Sequence, residues 1–364
     1  MISSAMQGGV SAFFVRRRRR LVADTLAVLD GWGYEELDVP LLSPFEALRP
    51  AIGDDVDREL FRFVDRSGDL LYLRGDLTPT VAHVLAQRLS SAELPVRVSY
   101  ANRVARVQRD FAREQLESYE AGFELVGTRG PDADLEALVI AADLVHSLGV
   151  GRSTFVVGDV RIARRLAARS GAPVTAMLSL ISARDRKAVD ELAADAGADA
   201  STRSALGMLC AMHADDTQLA VLAGDADREL ASCASSLRDL LAAFAQVVPN
   251  VSVALDLSAV GARSYYTGLQ FSVVSEAWGT ALGSGGRYDD LYGHFGPAVS
   301  AIGFGLHIDR LVRAGHGDAD EPSGAEMFFA PESIGTALGA RQSGERVRIQ
   351  QRVSPMAAER GGEQ

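Results

Sequence analysis

Apolar positions recur at helical spacing from Val10 to Trp32 (Phe14, Leu21, Leu26, Val28, Leu29), and Gly31 and Gly33 close the stretch, which predicts a first helix. Met1 to Gly9 ahead of it is small and polar and is expected to fray. Tyr34 to Pro40 alternates and stops at a proline, as an edge or interface strand does. Leu60 to Val64 and Leu70 to Leu73 flank the turn Asp65 to Gly68 and predict a β-hairpin. A helix is expected to open near Leu73 to Thr80 and run through Leu89, with Thr78 placed as its cap and Pro79 at its first position. Alternation returns at Val96, Val98 and Tyr100, gives way to Arg103, Arg106 and Arg109, and resumes in Ser118 to Gly127. Asp132 to Leu148 predicts an amphipathic helix and Arg152 to Val157 a short strand. From Asp159 to Phe244 the chain is rich in alanine and leucine at helical period, broken near Gly171, Gly197 and Gly224, which predicts an all-helical insert. Val251 to Asp256 reads as a buried strand. Gly283, Gly285, Gly286 and Gly293 suggest a glycine-rich turn, where the backbone adopts positive φ or approaches a ligand closely. Ala298 to Leu311 then predicts a strand feeding a helix that carries Asp309 and Arg310. Beyond an acidic linker, His316 to Gly324, the pattern of Met327 to Val353 is β-α-β, and the tail from Ser354 is expected to be disordered.

Composition narrows the class. A chain of 364 residues holds two domains and a sizeable core, and 47% hydrophobic with 23% charged residues fits a globular protein in water. The net charge of -11 argues against a surface built to neutralise phosphates. Arg16 to Arg20 is the most basic run, either an RNA patch or a solvated helix face, and helical geometry spreads its arginines around the circumference. Cys210 and Cys233 lack metal-type spacing and are expected to be small buried hydrophobes. No apolar run is long enough to span a membrane, and the N-terminal charge order is wrong for a signal peptide. A cytoplasmic protein without metal or other cofactor is expected.

Three groups of residues carry candidate chemistry. Asp76 and Thr78 are either capping groups or acceptors for a ligand ammonium, which favours a carboxylate plus a hydroxyl. Arg103, Arg106 and Arg109 form either a surface salt-bridge ladder or a fork for carboxylate or phosphate. Tyr265 and Tyr266 are either a core-plus-surface strand pair or the walls of a pocket for a partly apolar, hydrogen-bonding ligand. His213 stands alone in the helical region and reads as structural.

These stretches together resemble a known family. GWGYEELDVPLL, Gly31 to Leu42, is similar to the first motif of class II aminoacyl-tRNA synthetases, which in that family builds a homodimer interface. The strand, arginine-bearing loop and strand from Val96 to Gly127 resemble the second motif. YYTG, Tyr265 to Gly268, resembles the histidine-specific signature, and Gly283 to Leu311 the third motif in the form carried by histidyl-tRNA synthetases. The resemblance implies an α+β fold, an antiparallel sheet flanked by helices with a helical insert. It divides the chain into a first core part (1–150), the insert (151–250), a second core part (251–315), and a linker with a short C-terminal remnant in place of an anticodon-reading domain (316–364). It also implies that Asp76 and Thr78 hold the α-amino group of histidine and that Glu124 meets the imidazole. Arg106 takes the place of the second motif's arginine, and Tyr265 and Tyr266 close the pocket. Glu120 stands where the family usually carries glutamine.

The departures from the family are as informative. Gly261 falls where a synthetase carries its catalytic arginine, Ser264 replaces an aspartate, and His307 replaces a glycine that leaves room for adenine. Loss of preorganised charge at a transition state typically costs a few kcal/mol. A histidine pocket is kept while the ATP machinery is damaged. That combination resembles the paralogues that serve as regulatory subunits of short-form ATP phosphoribosyltransferase, in the first step of histidine biosynthesis. It implies a chain with no catalytic residues, needed for activity of a short catalytic subunit and binding histidine for feedback inhibition. A homodimer core inside a larger hetero-oligomer is implied as well, with no tRNA partner. The alternative is a shortened histidyl-tRNA synthetase or amino-acid-activating paralogue, for which Arg263, Arg106 and Arg310 speak. A degenerate scaffold that binds neither histidine nor the transferase is a third.

Overall fold

The computed structural model describes residues 11–53, 57–89, 94–107, 116–211, 214–260, 263–276, 278–315, 327–329, 334–345 and 347–349. Met1 to Gly9, Arg109, His213, Gly261, the linker His316 to Gly324 and the tail from Ser354 lie outside the described residues. The chain divides into two units, Met1–Gly317 and Asp318–Gln364.

In the first unit the strands are β1 (Glu35–Glu36), β2 (Leu42–Pro44), β3 (Arg62–Val64), β4 (Leu70–Leu73), β5 (Val96–Ala105), β6 (Glu117–Val126), β7 (Ser153–Asp159), β8 (Ser252–Leu255), β9 (Leu269–Ser275), β10 (Ala281–Arg287) and β11 (Ala301–His307). Eight of them form one sheet in the order β1-β5-β6-β11-β10-β9-β7-β8. Its six central strands pair antiparallel, and β1 and β8 join the two edges parallel. β2, β4 and β3 make a smaller antiparallel sheet that includes the expected hairpin.

The two faces of the large sheet have different tasks. One carries Phe123, Phe155, Phe271 and Phe304, all buried, into a core shared with the helices Pro131–Ser147 and Arg228–Val247. Phe271 and Phe304 sit on strands that flank β10, yet their rings stack with centroids 5.4 Å apart. They meet over Gly285, which pairs with both; a Cβ there would lie 2.3 Å from the Gly303 carbonyl oxygen and 2.9 Å from the Phe271 ring. The glycine-rich segment expected as a turn is therefore a central strand from Ala281 to Arg287. Its glycines serve ring stacking and close backbone approach rather than chain reversal. The opposite face presents Val98, Tyr100, Glu120 and Glu124 and is covered by the helix Leu77–Ala86 and the turn Leu291–His294.

Five of the six helices in the region from Val160 to Val247 show how the acidic composition is used. Asp159, Asp185, Asp199, Asp215 and Asp227 each cap a helix by accepting backbone N–H bonds, and Asp215 forms a reciprocal capping box with Gln218. Such caps are worth about 1 kcal/mol each. The remaining helix there, Val174–Ser182, follows Pro173.

Several local expectations are corrected. Tyr34 to Pro40 contributes only the two-residue β1, because after Leu37 the chain turns off the sheet and Arg74 takes the Val39 carbonyl. The helix near Thr78 begins at Leu77 and is capped by Asp76, whose extended backbone lets its carboxylate accept from Thr78 N at 3.1 Å. Pro79 falls in the first turn, where no intrahelical donor is needed. Arg103 lies inside β5 rather than in a loop. Tyr265 and Tyr266 lie in a turn before β9 rather than in a strand.

In the second unit, β12 (Met327–Phe329), the helix Ile334–Gln342 and β13 (Val347–Ile349) form the expected β-α-β, with the strands paired parallel. Among the described residues no helix is long and apolar enough to cross a membrane.

Gly285→Ala is expected to destabilise the first unit by about 1–3 kcal/mol, the usual penalty for overpacking. A thermal melt followed by near-ultraviolet circular dichroism checks this through a lower Tm and a weakened aromatic signal.

Candidate functional site

Strand periodicity sorts the candidate residues before any contact is considered. Side chains two apart on a strand share a face, so Glu120 and Glu124 on β6 face the same way as Tyr100 on β5, and Arg106 just beyond β5 continues that row. Arg103, at an odd position, faces the other way and pairs with Glu117 at 2.6 Å in an exposed salt bridge. Of the arginines expected as a group, Arg106 alone among the described ones joins the site.

The centre is Glu124, fully buried. Its carboxyl oxygens face three hydroxyls: Thr78 Oγ1 at 2.8 Å, Tyr100 Oη at 3.3 Å, and Tyr288 Oη. Gly303 on β11 lies directly opposite; a Cβ there would stand 1.6 Å from Glu124 Oε2, so only glycine leaves room. Burial, together with the charge of Asp76, pushes the Glu124 carboxyl up to about 8 against the opposing hydrogen bonds of Thr78 and Tyr100.

Asp76 adjoins this cluster through Thr78, which donates its backbone N–H to Asp76 and its hydroxyl to Glu124. Asp76 Oδ2 also accepts from Tyr265 Oη at 3.0 Å and lies 3.3 Å from Arg263 Nε. Arg263 is held from its other side by Glu59 at 2.9 Å. Tyr265 packs edge-on against both Tyr266 and Tyr288, with centroids 5.1 and 5.8 Å away. Burial, then the neighbouring carboxylates, raise the Tyr265 and Tyr266 hydroxyls well above their ordinary value, so both are neutral donors.

The second cluster is Arg106, Glu120 and His307. Arg106 donates to Glu120 through both terminal nitrogens, at 2.6 and 3.2 Å, and through Nε to the Gly75 carbonyl. His307 Nδ1 lies 3.0 Å from the same Glu120 oxygen. Burial acts to raise the Glu120 carboxyl, but Arg106 and then His307 overcome it and hold it well below the usual carboxylate range. Glu120 is thus ionised, and it occupies the whole guanidinium fork.

All seven residues singled out from the sequence, Asp76, Thr78, Arg106, Glu120, Glu124, Tyr265 and Tyr266, line one connected region of this face. Tyr100, Tyr288 and Glu59 are not among them. Tyr100 was legible as part of an alternating strand, and Tyr288 as the aromatic residue next to the glycines. Their convergence on Glu124 follows from cross-strand register, which no spacing along the chain reports.

The raised Glu124 carboxyl makes stability depend on pH. Its folded value of about 8 lies above its unfolded value of 4.5, so between these the native state holds a proton that the unfolded state has released. The contribution is whole at the acid end of that window and is lost as pH rises through about 8. Glu124→Gln is expected to flatten the fall of Tm across that window, measured by calorimetric melts in a pH series.

Comparison with known proteins agrees with this architecture. The profile of the histidyl-tRNA synthetase family matches residues 12–311. The chain is 32% identical over 330 residues to the ATP phosphoribosyltransferase regulatory subunit of Thioalkalivibrio sulfidiphilus, covering 87% of this chain and 82% of that one. It is 33% identical over 342 residues to the protein of the same name from Pseudomonas putida, covering 90% and 84%. Among solved structures, an ATP phosphoribosyltransferase regulatory subunit/histidyl-tRNA synthetase from Bacillus halodurans superposes with a TM-score of 0.81 at 24% identity, covering 94% of this chain and 91% of that one. The histidyl-tRNA synthetase of a Nostoc species gives 0.73 at 17% identity, covering 96% and 87%, and these two establish a shared fold. The chain belongs to the histidyl-tRNA synthetase family, among its ATP phosphoribosyltransferase regulatory subunits.

Proposed function

We infer that this chain regulates a short-form ATP phosphoribosyltransferase by binding histidine on the Glu124 face, without chemistry of its own on ATP. The observation that carries this reading is the Arg106–Glu120–His307 cluster. A nucleotide-activating site needs a guanidinium open to phosphate, and here the fork is filled by a carboxylate from the next strand. A polyphosphate would have to displace Glu120 from this fork, which Glu120 shares with His307.

The neighbouring cluster suits an amino acid. Asp76 supplies a carboxylate for an α-ammonium, with Thr78 beside it. Tyr265, Tyr266 and Tyr288 supply aromatic walls, and Glu124 offers a carboxyl near its titration point to an imidazole. Histidine shifts the assembled enzyme only by its differential affinity for the active and inhibited forms. The catalytic subunit is the partner this reading requires.

A second reading draws on Arg263. Its guanidinium reaches Asp76, so an arginine does enter the pocket two positions after Gly261. In the aminoacyl-activating alternative it would take over the role of the absent arginine. Against that role, Asp76 and Glu59 already neutralise it.

Titration calorimetry is expected to give L-histidine binding and no ATP binding. Its enthalpy should vary with the ionisation enthalpy of the buffer in the wild type and cease to vary in Glu124→Gln. Asp76→Asn keeps a helix-capping side chain but loses the charge, and should weaken histidine binding by about ten- to a hundredfold, one charge-assisted hydrogen bond. It should also relieve histidine inhibition of the assembled transferase. Histidine-dependent ATP–pyrophosphate exchange by the isolated chain would overturn the reading in favour of the second.

A further inference from the structure

The helix Val160–Arg169 carries arginines at 161, 164, 165 and 169. Arg161 pairs with Asp159, Arg165 with Asp227 and Glu229, and Arg169 with Asp225. Arg164 differs: it is half-buried, and among the described residues it makes no hydrogen bond or ion pair. Burial lowers its pKa, and the charges of Asp159 and then Asp290 act against it without outweighing it. It lines a cleft of about 290 Å³ with Ile52, Tyr265, Asp290 and Leu291. Asp290 begins the turn Leu291–His294, and its side chain caps nothing there. The two opposite charges influence each other without forming a salt bridge.

Half-buried Arg164 and exposed Asp290 line the same largely polar cleft, with Ser264, Thr267 and His294, and present two opposite charges to it. One small ligand answers both if it carries a carboxylate and an ammonium separated by a short linker. The cleft lies at the small end of ligand-site volumes, which suits an amino acid.

We propose that the Arg164–Asp290 cleft is a binding site for a free α-amino acid, with its carboxylate on Arg164 and its ammonium on Asp290. This site is separate from the Glu124 pocket and does not depend on the reading of that pocket. Tyr265 is the residue they share: it lines the cleft, and its hydroxyl donates to Asp76. Occupancy of the cleft therefore bears on the group that orients Asp76.

The test uses the full chain carrying Asp76→Asn, in which binding at the inner pocket is weakened, and compares it with the same chain carrying a cleft substitution as well. The standard L-amino acids are titrated one at a time, with the rise in Tm as readout, and positives are measured by calorimetry. At least one should bind, and its affinity should fall by about tenfold or more when Arg164→Gln or Asp290→Asn is added, the loss of one charge-assisted contact. Arg164→Gln alone should not lower Tm, because it removes a half-buried charge that has no hydrogen bond or ion pair among the described residues; a folded variant then makes its binding result interpretable. The proposal fails if no amino acid binds Asp76→Asn, or if binding survives Arg164→Gln. It also fails if acetate binds as well as the amino acid and is unaffected by Asp290→Asn, which would make the cleft a plain anion site. Loss of histidine binding in Asp76→Asn with a responsive cleft would uphold both proposals, whereas a silent cleft beside an intact histidine response in the wild type would remove this one alone.

Discussion

A buried carboxyl, with no cation beside it among the described residues, organises the front of the sheet. Glu124 has no exposed surface, and its oxygens are met by hydroxyls from three separate parts of the chain: Thr78 at a helix start, Tyr100 on the neighbouring strand, and Tyr288 just past β10. Burying a carboxyl without such partners is costly, and without a cation the group takes up a proton instead. That requirement fixes much else. Gly303 has to lack a side chain, β6 and β11 have to be in register, and the helix Leu77–Ala86 has to start where Thr78 reaches inward. Four residues away on the same strand, Glu120 has the opposite solution, full ionisation against Arg106. One strand thus holds two carboxyls of like geometry in contrasting protonation states, set by whether a guanidinium is at hand.

The back of the sheet obeys a different constraint, that of ring stacking. Phe271 and Phe304 touch because the strand between them offers glycine at the crossing point. The same glycines thin the front, where Gly286 lies against the Tyr266 ring. Apolar packing behind and the polar cluster in front are thereby both accommodated by one short run of sequence. The aspartates that dominate the chain's charge are largely spent locally, several of them on helix starts in the region beyond β7, so net charge says little about the surface around the site.

Much of this was legible along the chain. Periodicity located the principal helices and strands, and the motif resemblance gathered seven residues that do lie on one face. The errors have a common cause. Glycines at 283, 285 and 286 suggested a turn because local propensity favours one; their pairing with β9 and β11 overrode it. Arg103 and Arg106 looked equivalent in a loop, and became opposites once β5 extended through Ala105 and period two applied. Thr78 resembled a cap because proline followed it, but Asp76 had the extended backbone and the nearer acceptor. Register and the exact start of an element are settled by contacts distant in sequence, and those are what local pattern omits. Arg263 shows the same limit: only the fold brings it to Asp76.

Asp76 holds the first turn of the helix Leu77–Ala86 through Thr78 while also serving Tyr265 and Arg263. A carboxylate so engaged has little spare capacity, and a new cation must compete with an existing donor. Such competition turns occupancy into mechanical slack or tension at a helix end, the part of a helix most easily loosened. That helix packs on the turn Leu291–His294 and through it on the segment Arg49–Ala51, so the strain has a continuous path to the outside of the fold. A side chain that both fastens a helix and holds two further groups acts as a clutch.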